Sequence, residues 1–256
     1  AALAMAKQGN KEAARPRFIE VLGEVAGTDD VFAVFAWMQM AFGKEYLLQK
    51  APELIAAVDT WRMHLLLGDL LSSSKDFIKA EASYRKALSR SKAAPERLQV
   101  RLRLSMVLES QRKYTDLEKL YLTILQQRPN DIMVLNNLAY LYSERMNAPA
   151  KALPLAQKAM RLRPGDMNLL DTYAWTLAKS GKYAQALPYL QQVIRRSKTT
   201  PTILYHMGFV LEKTGDKLQA RSYYLRANDM LKDELTDPLR KIVQEGLSRV
   251  GGSDPK

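Results

Sequence analysis

The sequence predicts an all-α solenoid in which helical hairpins stack in series and a C-terminal helix closes the stack. Three observations predict it. From Leu170 to Ala227 one pattern occurs twice, end to end. Its first copy is Leu170, Tyr173-Ala174, Leu177, Gly181, Tyr183, Ala186, Leu190 and Val193, and its second is Leu204, Met207-Gly208, Leu211, Gly215, Lys217, Ala220, Tyr224 and Ala227. Gly181 and Gly215 stand 34 residues apart, a period that holds two amphipathic helices around a turn. The composition agrees: Ala, Leu, Lys, Arg, Gln and Glu abound, while 12 Gly and 11 Pro in 256 residues serve as punctuation. No apolar run reaches the ~18 residues of a membrane-spanning helix.

With Gly181 at position 15 of its repeat, the same position falls on Gly9, Gly43, Lys75, Arg112, Met146, Gly181 and Gly215. The chain then divides into half a repeat at 1–28 and six repeats at 29–60, 61–97, 98–131, 132–166, 167–200 and 201–234. A capping helix at 235–250 and a disordered tail at 251–256 follow. Ala1 to Met5 reads as the end of a helix that begins upstream, so a fragment or processed chain is expected, with any signal peptide or lipid anchor further upstream.

Each element has its own signals. Repeat 29–60 fits least well, with Gln39 at an apolar position and Pro52 expected inside its second helix. Repeat 61–97 exceeds the period by three residues, which are expected to lengthen the loop around Ser91 to Pro95 at small entropic cost. Pro129 and Pro164 fall where second helices must stop, because proline has no N–H to continue them. One extra residue is placed near Asn147-Ala148-Pro149. Pro154 and Pro188 occupy equivalent places a little way into two second helices, so the same bend is expected in both. Small residues at position 8 (Ala36, Gly68, Ser105, Ala139, Ala174, Gly208) predict close helix approach. Position 20 has Ala14, Ala80, Ala186 and Ala220 but Leu48 and Leu117, where a larger residue should push the pair apart. At the end, Thr236-Asp237-Pro238 offers an N-cap and a first-turn proline, and Leu239, Ile242, Val243, Leu247 and Val250 mark one apolar face. Such a helix closes the last open face of a repeat stack.

This pattern resembles the tetratricopeptide repeat. The resemblance implies a right-handed superhelix and a non-enzymatic scaffold that binds a protein or peptide in its concave groove. In that family the first helix of each hairpin lines the groove, chiefly through positions 2, 5, 6, 9, 12 and 13. Position 9 is Leu3, Trp37, Asp69, Met106, Tyr140, Trp175 and Phe209 here, and position 2 contributes Asn168. The implied groove residues are Trp37, Arg103, Asn136, Asn137, Tyr140, Asp171, Thr172, Trp175, Tyr205, His206 and Phe209. Rings flanked by amides suit a peptide, since rings supply buried area and amides satisfy the guest main chain. Trp175 and Phe209 equally suit packing against the next helix, and both readings stay open. A clamp for a chaperone's C-terminal carboxylate is not implied. Asn137 matches its middle position, but Leu102, Met106, Asn168 and Thr172 stand where Lys, Asn, Lys and Arg belong.

A narrower resemblance covers Leu135 to Tyr140, Leu170 to Trp175 and Ile203 to Gly208. These phrases are similar to those of bacterial tetratricopeptide proteins in envelope export and exopolysaccharide systems, including lipoproteins linked to exosortase sorting. They imply a bacterial source and a periplasmic or envelope-associated rather than cytoplasmic place.

The net charge of +12 raises a competing function. Residues 1–60 carry six basic and eight acidic side chains, so the basic excess lies entirely in the rest. Arg85, Lys86, Arg90, Lys92, Arg97, Arg101 and Arg103 gather around one turn, and Arg195, Arg196 and Lys198 around another. Such fields attract nucleic acid, anionic lipid or acidic polysaccharide, although basic residues at helix ends are also ordinary solvated partners of the helix dipole. Arg103, at position 6, points to the groove.

Catalytic signals are lacking. There is no Cys, and the only histidines, His64 and His206, lie far apart, so no His pair or zinc-protease motif exists. Gly181-Lys182 is followed by Tyr183 instead of the Ser or Thr of a phosphate loop. No enzyme activity, cofactor or metal is expected. A further alternative is an accessory domain of a larger enzyme or secretion machine.

Overall fold

The computed structural model describes residues 2–7, 10–234 and 237–251. Gly9, the side chain of Leu3, Thr236 and residues 252–256 of the expected tail lie outside the described set. Among the described residues there are 16 α-helices and one π-helical turn, and no strand.

The chain forms two compact units, Ala1–Leu120 and Tyr121–Lys256. Unit 1 contains α1 (Ala2–Lys7), α2 (Lys11–Val25), α3 (Asp30–Phe42), α4 (Lys44–Gln49), α5 (Ala51–Ala57), α6 (Trp61–Ser73), α7 (Phe77–Arg90) and α8 (Ala94–Ser110). The division falls within α9 (Tyr114–Gln127). Unit 2 contains α10 (Ile132–Tyr140), the π-helical turn Leu141–Arg145, α11 (Pro149–Leu162), α12 (Met167–Lys179), α13 (Tyr183–Arg196), α14 (Pro201–Thr214), α15 (Lys217–Met230) and α16 (Pro238–Val250). Within each unit consecutive helices pack as hairpins, α6 on α7, α10 on α11, α12 on α13 and α14 on α15, and each hairpin packs on the next. The class is the all-α helical-hairpin solenoid.

Local chemistry sets the helix starts. Side-chain oxygens of Asn10, Thr60, Asp76, Asp131, Asp166, Thr200, Asp216 and Asp237 each accept a backbone N–H in the first turn that they open. At α8 the Glu96 carboxylate instead accepts the N–H groups of Lys92 and Ala93. This start corrects the expectation of a longer loop at Ser91 to Pro95. The extra residues extend α8 to 17 residues, against 13 in α6 and α12, because Pro95 fits a first helical turn.

Turns between paired helices need a left-handed residue. Gly43, Gly181 and Gly215 have φ of 86°, 75° and 96°, and Lys75 and Arg112 adopt 61° and 56° at the equivalent place. Met146 does not. The extra residue of this repeat is taken up as the π-helical turn Leu141–Arg145, where the Met146 N–H bonds to the Leu141 carbonyl at 3.0 Å, and the left-handed residue becomes Asn147, φ 48°. The insertion expected in the following loop therefore sits one turn earlier, inside the helix.

Close packing explains the small residues. A Cβ on Gly68 would stand 2.5 Å from the Tyr84 ring, and one on Gly208 would stand 2.8 Å from the Tyr224 ring. The hydroxyls of these two tyrosines donate at 2.7 Å to Asp69 and Glu212 respectively. Ala139 and Ala174 are fully buried. Ala36 is a correction: it is exposed, and Val34, Phe35 and Met38 carry the core face of α3. Pro52 is another, for it opens α5 instead of lying within one long second helix, which is split at Lys50. Pro16, Pro154 and Pro188 lie inside α2, α11 and α13, each at the sixth residue of its helix.

Helix α16 packs on α14 and α15. A Cβ at Gly246 would meet the Tyr224 ring at 2.7 Å, and the Arg249 guanidinium donates to both Glu212 oxygens at 2.8 and 3.1 Å. Val243 and Val250 join the core built by α12 to α15.

Candidate functional site

The first helices of the unit 2 hairpins, α10, α12 and α14, place their facing residues over one another. Trp175 on α12 lies beneath the next hairpin and is 2% exposed. Its indole stacks on His206 with ring centroids 4.1 Å apart and meets Phe209 edge-on at 5.3 Å. Its N–H donates to the Glu144 carboxylate at 2.9 Å, and Lys179 stands 3.9 Å from the same carboxylate. His206 is also buried, with Nδ1 at 3.0 and 3.1 Å from the two oxygens of Asp171. The Thr172 hydroxyl donates to the Asn168 carbonyl. Trp175 and Thr172 are thus interior side chains, a correction of their placement on an open groove: positions 5, 6 and 9 of α14 pack over α12. Phe209 and Tyr205 are half-buried and Asp171 is turned to His206.

Beside this plug opens an aromatic cavity of about 240 Å³. Tyr140 comes from α10, Glu144 and Arg145 from the π-helical turn, Tyr205 and the edge of His206 from α14, and Leu239 and Ile242 from α16. Burial, with the negative charge of Glu144 second, pushes the Tyr205 hydroxyl up to about 12, so it remains a neutral phenol at neutral pH. Sequence reasoning found Tyr140, Tyr205 and His206. It missed Glu144 and Arg145, which the π-helical turn re-aims, and Leu239 and Ile242, whose apolar spacing was read as sealing alone.

A second, polar cavity of about 410 Å³ lies at the starts of α10 and α12. Asn136, Asn137 and Asn168 line it, together with two matched ion pairs, Arg128 with Asp131 at 3.5 Å and Arg163 with Asp166 at 3.6 Å. Asn137 and Tyr140 are one turn apart on α10, so the two cavities adjoin along one helix.

The comparisons with known proteins bear on this geometry. Tetratricopeptide-repeat family models match residues 174–231 and residues 62–93. The TPR repeat-containing protein PA4667 of Pseudomonas aeruginosa is 30% identical over 135 residues, which is 53% of this chain and 22% of that protein. The chain carries tetratricopeptide repeats in the segments that those family models match. It spans about a fifth of the length of that curated relative. A tetratricopeptide repeat protein from Parabacteroides merdae superposes with a TM-score of 0.61 at 14% identity, over 98% of this chain and 96% of that one. Pseudomonas aeruginosa pilF gives 0.59 at 18% identity, over 90% and 98% of the two chains. YrrB gives 0.53 at 18%, over 77% and 99%. These likenesses show the shared fold.

In this tetratricopeptide repeat chain the remaining candidates lie in unit 1. Trp37 is 47% exposed on α3, and Arg103 is exposed on α8, with its Nε 3.3 Å from Asp69 of α6. Around the start of α8 some of the basic side chains are paired. Arg85 pairs with Glu81 at 2.8 Å, Arg90 with Asp59 at 2.6 Å, and Arg101 is buried. No helix among the described residues is long and apolar enough to cross a membrane, and no three of their His, Asp or Glu side chains gather as a metal-binding set.

Proposed function

We propose that this chain holds a segment of a partner protein against the face formed by α10, α12, α14 and α16, with an apolar guest side chain in the aromatic cavity. Tetratricopeptide repeats make a protein–protein interaction scaffold, and the aromatic cavity is the observation that carries the finer reading. Tyr140, Tyr205, Leu239 and Ile242 offer rings and branched aliphatics at a concave place, the chemistry of an interface anchor pocket. Its floor is fixed in advance by the Trp175, His206 and Asp171 contacts, so little ordering is left to oppose binding. YrrB, a tetratricopeptide repeat protein with an unusual peptide-binding site, has the same fold. Arg85, Arg90 and Arg103 are each tied to a carboxylate in unit 1, and a paired guanidinium has less charge to offer an anionic polymer.

The proposal treats the chain as non-enzymatic and as one part of a larger bacterial envelope or export assembly, on the strength of the phrases 135–140, 170–175 and 203–208. Its test is capture from source-cell extract by the wild-type chain and by a folded Tyr140→Ala/Tyr205→Ala/Ile242→Asp variant, at low and high salt. A protein retained by the wild type at both salts and lost from the variant supports the cavity. Equal capture by both, abolished by salt, overturns it in favour of the basic surface. Fractionation of the same cells tests the envelope placement, which a purely cytoplasmic chain would refute.

A further inference from the structure

His206 holds a hydrogen-bonding atom that the fold leaves unused. The imidazole is 3% exposed. One face lies on the Trp175 indole, 13° from parallel, and Nδ1 is held by both Asp171 oxygens. Nε2 makes no hydrogen bond among the described residues, and unlike Nδ1 of His64 it is not sealed from solvent. Because the ring lines the aromatic cavity, this open edge is what it turns to that space. The state of the nitrogen is set from behind. A carboxylate only accepts, so a neutral imidazole places its single N–H on Nδ1, toward Asp171, and keeps a lone pair on Nε2. Stacking on Trp175 fixes the direction of that lone pair. Other polar groups of the cavity are already engaged. Glu144 accepts the Trp175 N–H and stands 3.9 Å from Lys179, Asp237 accepts the Leu239 N–H, and the Arg145 guanidinium lies 6.0 Å over the Tyr140 ring.

We propose that the aromatic cavity selects a guest ring bearing one donor, an indole or a phenol, whose N–H or O–H donates to His206 Nε2, with Asp171 as the positioning residue. The inference rests on the peptide-binding function proposed above and adds which side chain the cavity takes. A dry cavity of about 150 Å³ already accepts benzene, so one of about 240 Å³ holds a single or a fused ring. Tyr140, Tyr205, Leu239 and Ile242 supply its apolar walls. An aliphatic or phenyl guest would fill the space but strand the lone pair, and a buried acceptor without a partner costs binding. A lysine or arginine brings donors as well, but it would carry its charge in beside Arg145, toward carboxylates that are already engaged.

The test uses peptides selected from a random display library on the full chain, with binding read by fluorescence anisotropy. Those weakened by Tyr140→Ala are expected to share a Trp or Tyr at one position. Exchanging that Trp for benzothienylalanine, which keeps the shape without the N–H, or that Tyr for Phe, should weaken binding about tenfold, the loss of one well-made hydrogen bond. On Asp171→Leu/His206→Phe the exchange should make no difference. That variant removes both members of a polar pair and keeps a ring over Trp175, so its urea midpoint should stay near that of wild type. The wild-type chain supplies a readout that does not depend on any variant. Nitrogen-15 NMR of His206 should show the proton of the neutral ring on Nδ1, and an Nε2 signal that moves when the Trp peptide is added but not when its benzothienyl analogue is.

If Tyr140→Ala weakens binding but the shared position is Leu, Ile or Phe, or the benzothienyl and Phe exchanges cost nothing, this inference fails and the function above stands. A neutral His206 with its proton on Nε2 overturns the inference in the same way. If no peptide is selected, or none is weakened by Tyr140→Ala, both fail. A shared Lys or Arg also overturns both, since the cavity would then be a cation site.

Discussion

The indole N–H of Trp175 donates to the carboxylate of Glu144 at 2.9 Å. This bond ties α12 to the π-helical turn after α10 and turns an aromatic from a ligand contact into a structural one. Glu144 thereby gains a fixed position at the rim of the aromatic cavity.

Replacing Trp175 tests that role. Trp175→Ala should cost about 3–5 kcal/mol of stability, the range for emptying a buried aromatic site. Urea unfolding should show it as a lower midpoint. Trp37→Ala, at 47% exposure, should change stability by no more than ~0.5 kcal/mol. Equal midpoints for the two variants would contradict the packing described.

The glycine and tyrosine contacts make a second prediction. Gly208→Ala forces a Cβ to within 2.8 Å of the buried Tyr224 ring, and should cost about 1–3 kcal/mol by overpacking. Gly23, inside α2, has nothing within 4 Å of the corresponding position. Gly23→Ala should instead stabilise by roughly 0.5–1 kcal/mol through helix propensity. Thermal melts of both variants would separate steric from conformational effects.

Left-handed lysine gives a third. Lys75 holds φ at 61° where Gly181 and Gly215 serve in other hairpins. Lys75→Gly removes a backbone cost of about 1–2 kcal/mol but adds unfolded-state entropy of up to ~1 kcal/mol. A net gain of up to about 1 kcal/mol is expected. A lowered melting temperature would mean that the lysine side chain contributes more than its backbone costs.

The fourth concerns pH. His64 is buried, with Nε2 2.8 Å from Asp59 and no partner at Nδ1. Burial, opposed by the Asp59 hydrogen bond, holds its pKa below the ordinary 6.5. Protonation therefore favours the unfolded chain: the contribution is complete above about pH 6.5 and is lost as pH falls through the folded value. Melting temperature should decline below pH 6.5, and less so in His64→Gln. Asp59, Glu81 and Glu212 are held below their ordinary 3.8, 4.5 and 4.5, so their contributions are lost at lower pH and do not mask this step. An identical pH profile for both proteins would exclude His64 as the cause.

The sequence by itself determined the helical-hairpin class, because the 34-residue period and the capping residues act within a few residues of chain. Asp131, Asp166, Thr200 and Asp237 announce helix starts, and Gly181 and Gly215 announce turns, by local backbone geometry alone. It also brought Tyr140, Tyr205 and His206 to attention through repeat position. Tertiary structure decided which side chains are open. Trp175 and Phe209 share one repeat position, yet Trp175 is buried and Phe209 half-buried, because burial depends on what the next hairpin lays over each ring. The same holds for insertions. A spacing rule counts the extra residue near Asn147 but does not place it, and packing of the preceding helix put it into a π-helical turn that carries Glu144 and Arg145 to the aromatic cavity. Leu239 and Ile242 reach that cavity from more than 90 residues away in sequence from Glu144. No local pattern encodes such a meeting; it exists only once α16 has docked.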